Sequence, residues 1–367
     1  MKLLNITIFI LVFCSTGCSA AELDLPASNL VFHGTSDASA AVALDKDIFI
    51  VADDENNILR VYKIESRALP VSSFDLTKFL GTTSVHPEAD IEGATMIDDH
   101  IYWISSHGRN KDGKLRPNRY RFFATNVKIQ DKKVIIVPSG EVCRDLIHKL
   151  IEAKNMQGLR LQQAVQFNAK LKKKERKKLA PKGSGLNIEG LCASRNKKSL
   201  YIAFRNPIPV DKKTSIAQAL VIPLNNFKEV IDKKDDPVFG DPIFWDLHGL
   251  GIRSMEYSAF HKTYFIIAGP HSSRREFVLY KWSGKKDDKP VPIQRIVSET
   301  NDFTPEALIP FNNSPKLLLL SDDGTLLADI SALNDCMEGE LLDNGQCPNK
   351  FLTNPNQKFF RGIWLQP

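Results

Sequence analysis

The chain has 367 residues, 43% of them hydrophobic and 25% charged, and a formal net charge of +6. That charge is concentrated: residues 169–182 hold eight Lys or Arg against one Glu, a local +7, so the remainder nets −1. One basic segment on a near-neutral body excludes nucleic acid as the partner of the molecule as a whole.

The chain opens with Lys2 and an apolar run over residues 3–13, too short to span a bilayer and suited to the core of a signal peptide. Ser19-Ala20-Ala21 before Glu22 satisfies the small-x-small cleavage rule, which predicts a signal peptide over residues 1–21 and a periplasmic or secreted product. The alternative is a lipoprotein anchored at Cys18, read from Gly17-Cys18. No later segment is long and apolar enough to form a transmembrane helix. About 345 residues remain (22–367), large for a single core unless the fold is modular or closed on itself.

Short β-type runs bounded by Asp, Asn, Gly and Pro fill most of that length. Ile48-Phe49-Ile50-Val51, Ile101-Tyr102-Trp103-Ile104, Leu200-Tyr201-Ile202-Ala203, Tyr264-Phe265-Ile266-Ile267 and Leu317-Leu318-Leu319-Leu320 read as strands. Each has a shorter strand upstream, centred on Ser39, Glu92, Glu189, Arg253 and Glu306 in turn. The separations are 53, 97, 64 and 53 residues, and the long one contains a charged insertion. A period near 50 with several strands per repeat predicts an all-β propeller of five blades, or six if one blade has lost its pattern. The last repeat is one strand short, and Leu30-Val31-Phe32 is expected to complete it beside the strand at 359–365, joining the chain ends in one blade.

The insertion spans residues 142–182. Leu146, Ile147, Leu150 and Ile151 recur at helical spacing, and Leu159, Leu161, Ala164 and Val165 continue the pattern into a Lys-rich stretch at 170–178. Two helices within the second blade are expected there, forming a solvated cap or a cationic lid that meets anionic ligands or surfaces. Four cysteines lie beyond the export segment. Their even number favours disulfides, Cys336–Cys347 locally and Cys143–Cys192 at the base of the insertion; a zinc site finds no CxxC spacing.

Innermost propeller strands border an axial channel, so Glu92, Glu189, Arg253 and Glu306 are expected to converge. Asp53, Ser106, His107, Arg109, Arg205, His271, Asp322 and Asp323 sit at or just beyond the ends of second strands and are expected at the channel mouth. Two solutions stabilise such a cluster. Arginines pair with the glutamates as a structural plug, or a hard cation such as Ca²⁺ collects Glu92, Glu189 and Glu306. Glu92, Glu189 and His107 are the candidate acid–base groups, with Arg205, Arg253, Arg109, Asp53 and Ser106 as ligand-binding groups. No GxSxG elbow, HExxH helix or phosphate-cradling Gly loop is present.

Asp90-Ile91-Glu92-Gly93-Ala94 followed by Ile101-Tyr102-Trp103-Ile104-Ser105-Ser106-His107-Gly108-Arg109, with Asn187-Ile188-Glu189-Gly190-Leu191 and Gly249-Leu250-Gly251-Ile252-Arg253, resembles an uncharacterised bacterial propeller family known as a domain of unknown function. More distantly, the Glu-Gly pairs are similar to esterase-like and phytase-like propellers and to calcium-dependent lactonase propellers. The last resemblance implies Glu92 or Glu189 as a metal ligand, although no Pro follows Glu-Gly here and Arg253 has no counterpart. Taken together, the expectation is a channel that binds or hydrolyses a phosphate or carboxylate ester or another anionic small molecule, with Ca²⁺ as the candidate cofactor. The alternative is a non-catalytic binding or scaffold propeller whose Glu/Arg ring is structural.

Overall fold

The computed structural model describes residues 21–24, 30–65, 69–130, 133–272, 276–297 and 302–367. Apart from Ala21, the signal segment at 1–21, with Cys18, lies outside the described residues. Five antiparallel four-stranded sheets are arranged as the blades of a propeller. Blade 1 runs outward through Ala40–Ala43, Ile48–Ala52, Ile58–Lys63 and Ser72–Asp75. Blade 2 comprises Ile91–Ile97, His100–Ser105, Phe122–Gln130 and Lys133–Cys143; blade 3 comprises Asn187–Ala193, Leu200–Asn206, Ala219–Leu224 and Ile243–Trp245. Blade 4 comprises Gly251–Ser258, Thr263–Gly269, Phe277–Trp282 and Val291–Val297, with Ala21–Asp24 added in parallel at its outer edge. Blade 5 takes Pro305–Pro310, Leu317–Ser321 and Phe359–Leu365 from the C-terminal part and Leu30–His33 from the N-terminal part.

The innermost strands neighbour one another in sequence order, and the fifth returns to the first, so the ring is closed. Each sheet faces another sheet on both sides. This explains why strands such as Leu317–Ser321 are buried along their whole length rather than alternating. Five apolar clusters fill the five gaps, one between each pair of blades. In blade 5 the two chain ends share the aromatic contact of Phe32 stacked on Phe360 at 5.1 Å, against Phe49 and Tyr62 of blade 1. Among the described residues no helix is long and apolar enough to cross a membrane.

The insertion departs from its expected form. It begins after Cys143, the last residue of blade 2, and so connects blades 2 and 3 rather than interrupting blade 2. It forms three short α-helices, Leu146–Glu152, Leu161–Val165 and Lys173–Lys178. The second ends where Gln166 takes a left-handed conformation (φ 45°), which detaches the basic stretch as a helix of its own. Leu146, Ile147, Leu150, Leu161, Ala164 and Val165 join the core between blades 2 and 3, while no residue of Lys173–Lys178 is buried. Cys336–Cys347 is bridged, in the long loop between the second and third strands of blade 5. The Cys143–Cys192 pairing is corrected: both are free thiols. Cys143 packs on the core between blades 2 and 3, whereas Cys192 points into the core between blades 3 and 4, so the sheet of blade 3 separates them.

Register explains the Glu-Gly pairs. The ladder between first and second strands slips between Ile91 and Gly93, between Ile188 and Gly190, between Ile252 and Ser254, and between Pro305 and Leu308. Glu92, Glu189, Arg253 and, with Ala307, Glu306 are left without a ladder partner in these bulges, and a bulge re-aims its side chain. The glycine that follows two of them lets inner strands approach. A Cβ on Gly93 would lie 2.9 Å from Ile104 Cγ2 and 3.0 Å from the amide nitrogen of Leu191 in the next blade. One on Gly190 would lie 2.9 Å from Ala203 Cβ. Gly93→Ala should therefore destabilise the fold by about 1–3 kcal/mol through overpacking against backbone, read as a lowered urea midpoint at unchanged slope. An unchanged midpoint would show that the inner strands can separate freely.

Candidate functional site in the axial channel

The bulged residues meet at the end of the channel where the long connections lie, and they divide it into two electrostatic halves. On the side of blades 3 and 4, Glu189 is 3% exposed and receives Arg205 Nη1 at 2.6 Å and Asn187 Nδ2 at 2.5 Å on one oxygen. Its other oxygen receives Arg253 Nη1 at 2.7 Å. Arg253 Nη1 also lies 3.0 Å from Glu306 Oε1, and its guanidinium sits 5.8 Å from the Phe277 ring centroid. Burial alone would push the Glu189 carboxyl up, but the two guanidiniums override it and hold the group below the usual carboxylate range. Glu306 shares its arginine with Glu189 and is the more distant claimant. Burial first, then Glu189 and Asp322, push it up to about 8 against the pull of Arg253.

The opposite half is acidic. One carboxylate oxygen each from Asp54, Asp90 and Glu92 lies within 4.8 Å of the others. Arg119 Nη1 reaches Asp90 Oδ2 at 2.8 Å, and the Ser106 hydroxyl donates to the same oxygen. Asp54 Oδ1 is buried without a hydrogen-bond partner. Asp37 accepts from Ser39 Oγ at 3.2 Å and its backbone pairs with that of Asp322. Burial, and after it the neighbouring carboxylates, push Asp37, Asp54 and Glu92 well above the usual range; for Asp90 burial outweighs Arg119 and Ser106. Seven carboxylates (Asp37, Asp54, Asp90, Glu92, Glu189, Glu306 and Asp322) thus act on one another around three guanidiniums, those of Arg119, Arg205 and Arg253. Among the described residues Arg119 and Lys350, the latter paired with Glu55 at 2.6 Å and acting on Asp54 and Asp322, are the cations on the side of blades 1, 2 and 5, where carboxyl groups outnumber them.

The sequence model for a protein of unknown function, DUF3616, matches residues 37–314. The chain belongs to this family. The DUF3616 match begins at Asp37 and ends eight residues after Glu306, so it contains all four bulged residues together with Asp54 and Asp90. It stops short of the closing strand Phe359–Leu365 and of the disulfide loop. No curated protein matches the sequence. Similar solved structures include a glutaminyl cyclase from Myxococcus xanthus, at 10% identity and TM-score 0.40, covering 79% of this chain and 88% of that one. A putative oxidoreductase (glucose dehydrogenase) from Thermus thermophilus gives 10% identity and TM-score 0.41, over 92% of this chain and 100% of that one. The Malassezia sympodialis allergen Mala s 1 gives 8% identity and TM-score 0.40, over 92% and 94%.

Within this DUF3616 protein the structure brings Glu92, Glu189, Glu306, Arg205 and Arg253 together. It does not gather Glu92, Glu189 and Glu306 as three free ligands, because the latter two are tied to Arg253. Asp53 turns aside to the Thr35 hydroxyl and the Glu55 amide (2.7 Å). Ser106 supports Asp90 and receives the Gly108 amide at 3.0 Å. His107 is fully buried, with Nδ1 2.8 Å from the Ser105 carbonyl and its ring edge-on to Tyr120, and burial brings its pKa down to about 4. Arg109 donates to the carbonyls of Gly113, Val165 and Gln166, which anchors the insertion. Asp323 is held at both oxygens by Arg361, at 2.8 and 2.9 Å. Asp54, Asp90 and Arg119 belong to this charged cluster and were not among the residues expected from the sequence. The signal for Asp90 was the two-residue spacing to Glu92, which repeats as Asp37 to Ser39 and Asn187 to Glu189.

Two outcomes follow from these charges. Glu306, Asp37, Asp54 and Glu92 keep protons in the folded state that they lose on unfolding, so metal-free protein should lose stability as pH rises from about 4.5 to 8. Thermal melts in chelator across that range check the sign; a rising melting temperature would mean the carboxylates are ionised and otherwise compensated. Glu189→Gln strands two buried guanidiniums and should cost about 3–5 kcal/mol in denaturant unfolding.

Proposed function

We propose that this propeller is an exported protein that holds a divalent cation at Asp54, Asp90 and Glu92 and uses it to bind an anionic small molecule. The observation that carries this reading is the carboxylate trio within 4.8 Å beside the unpartnered buried oxygen of Asp54. Two oxygens on one Ca²⁺ at about 2.4 Å each cannot lie more than about 4.8 Å apart, so the separation suits a hard cation taking oxygen ligands. The donor set is all oxygen, which favours Ca²⁺ or Mg²⁺ over metals that seek thiolate or imidazole. Asp54, Asp90 and Glu92 would hold the ion, and Asp37 and Asp322 supply further negative potential. When bound, such an ion polarises a phosphoryl or carboxyl oxygen of the ligand.

The exposed lysines of Lys173–Lys178 support an anionic ligand. That helix belongs to the connection whose later residues Pro181 and Gly183 accept from Asn206, next to Arg205 of the charged cluster. Export is supported by the leader-like apolar run and by the Cys336–Cys347 bridge. Hydrolysis of a phosphate or carboxylate ester is a second reading. It is supported by Glu306, whose carboxyl, pushed up to about 8, can carry a proton beside the cluster. The structural-network alternative is favoured only for the arginine half, where Glu189 accepts from both Arg205 and Arg253.

Titration of chelator-treated protein with CaCl₂ and MgCl₂ by calorimetry tests the reading. Saturable binding of one ion is expected, with a melting temperature that rises with cation concentration. Glu92→Gln should weaken that binding about tenfold or more while raising the metal-free melting temperature at neutral pH, because the amide needs no proton taken up on folding to sit among its acidic neighbours. Absence of cation binding, or unchanged affinity in Glu92→Gln, overturns the site. Release of p-nitrophenol from p-nitrophenyl phosphate or acetate, dependent on the bound cation, decides for hydrolysis over binding alone.

A further inference from the structure

The channel has a second end. Around the turns that join first to second strands, all five blades line a cavity of about 570 Å³, within the size range of small-molecule sites. Val42, Leu44, Met96 and Pro310 give it apolar wall. Glu256, on the inner strand of blade 4, is the carboxylate that also lines the narrow neck leading towards Glu92 and Glu189. That neck has only about 10 Å³ of room, roughly one water molecule, so the two ends are separate compartments.

The Glu256 side chain makes no hydrogen bond or ion pair with any described residue, as is also true of Glu92, but unlike Glu92 it has no neighbouring acid acting on it. Burial alone pushes its carboxyl well above the usual range; no neighbouring cation lowers it and no neighbouring acid is needed to explain it. A half-buried acid without a donor is costly unless something supplies one, and here a cavity large enough for a ligand lies against it. The charges elsewhere on the lining are mixed: Asp45, Lys46 and Arg195 together with the Lys197–Asp98 pair at 2.7 Å. All are exposed and screened, and so contribute less than the single desolvated carboxylate.

We propose that this cavity is a binding site for a small organic cation, with a protonated amine on Glu256 and the ligand's apolar body against Val42, Leu44 and Met96. The inference does not rest on the cation site at the opposite end. Calorimetry on the full chain with benzylammonium chloride tests it, with benzyl alcohol and benzoate as neutral and anionic counterparts of the same shape. Saturable binding of benzylammonium is expected, at least about tenfold tighter than either counterpart. Glu256→Gln should weaken it by a similar factor and should fold normally, since it replaces an unpaired carboxyl group by an isosteric neutral amide. Glu92→Gln should leave it within about twofold while losing cation binding, which separates failure of one site from failure of the other. Equal binding of benzyl alcohol, undiminished binding in Glu256→Gln, parallel loss in Glu92→Gln, or no saturable binding would each overturn the proposal.

Discussion

Closure of five sheets around one axis forces the starts of five inner strands into a space a few ångströms wide, and the character of this protein follows from what the chain places there. A strand in regular register would point its side chains into the gaps between blades, where the apolar clusters lie. The bulges at Glu92, Glu189, Arg253 and Glu306 remove those residues from the ladder and leave them at the axis. Blade 1 has no register shift and carries only Ser39 at this position. Four long polar side chains and one short one therefore meet, and the short one bonds to its neighbours: Ser39 Oγ donates to Asp37 Oδ1 at 3.2 Å and accepts from the Asp54 amide at 3.1 Å.

The electrostatic consequence is asymmetry. Blades 3 and 4 contribute Arg205, Arg253 and the Glu189 that pairs with both, and Glu306 of blade 5 also reaches Arg253, so this half is charge-paired and anchors the blades together. Blades 1, 2 and 5 contribute carboxylates with Arg119 as the guanidinium that reaches Asp90. A buried array of like charges is stable only when protonated or neutralised by an ion. The first condition fails progressively above the raised pKa values, and the second is met by a cation of the hard, oxygen-seeking kind. In this way a fold feature, the position of two arginines among five blades, decides which carboxyl groups are paired and which are left among like charges.

Much of this was legible in the sequence because propeller repeats are long-period but strict. The spacing of the inner strands identified the bulged residues, and the short last repeat identified Leu30–His33 as its missing partner. Residues that act through loops were not legible. Asp54 sits just past the end of its strand, where the direction of a side chain depends on turn geometry rather than on a period of two. His107 looked catalytic because it follows Ser105 and Ser106 in a strand-to-loop turn, yet its left-handed conformation (φ 53°) carries the ring to the Ser105 carbonyl and Tyr120. The Cys143–Cys192 pairing failed because even cysteine counts carry no information about which face of a sheet each residue occupies. The basic run was visible, but its separation from the preceding helix depended on a single backbone dihedral at Gln166.

The two ends of the channel also differ in how they are built, and that difference bears on which can evolve a chemistry. At the charged end each carboxylate belongs to a network. Moving one alters the protonation of several others, so affinity for a cation there is a property of the whole cluster. At the far end Glu256 stands alone in a cavity formed by tight turns, and its energetics are those of one group and its solvent. The constriction between them is made of small residues, among them Ala41, Gly93, Gly190 and Ala307, which the close approach of inner strands requires. The packing that closes the propeller thus also narrows the passage between the two ends to about the size of one water molecule, too small for an organic ligand.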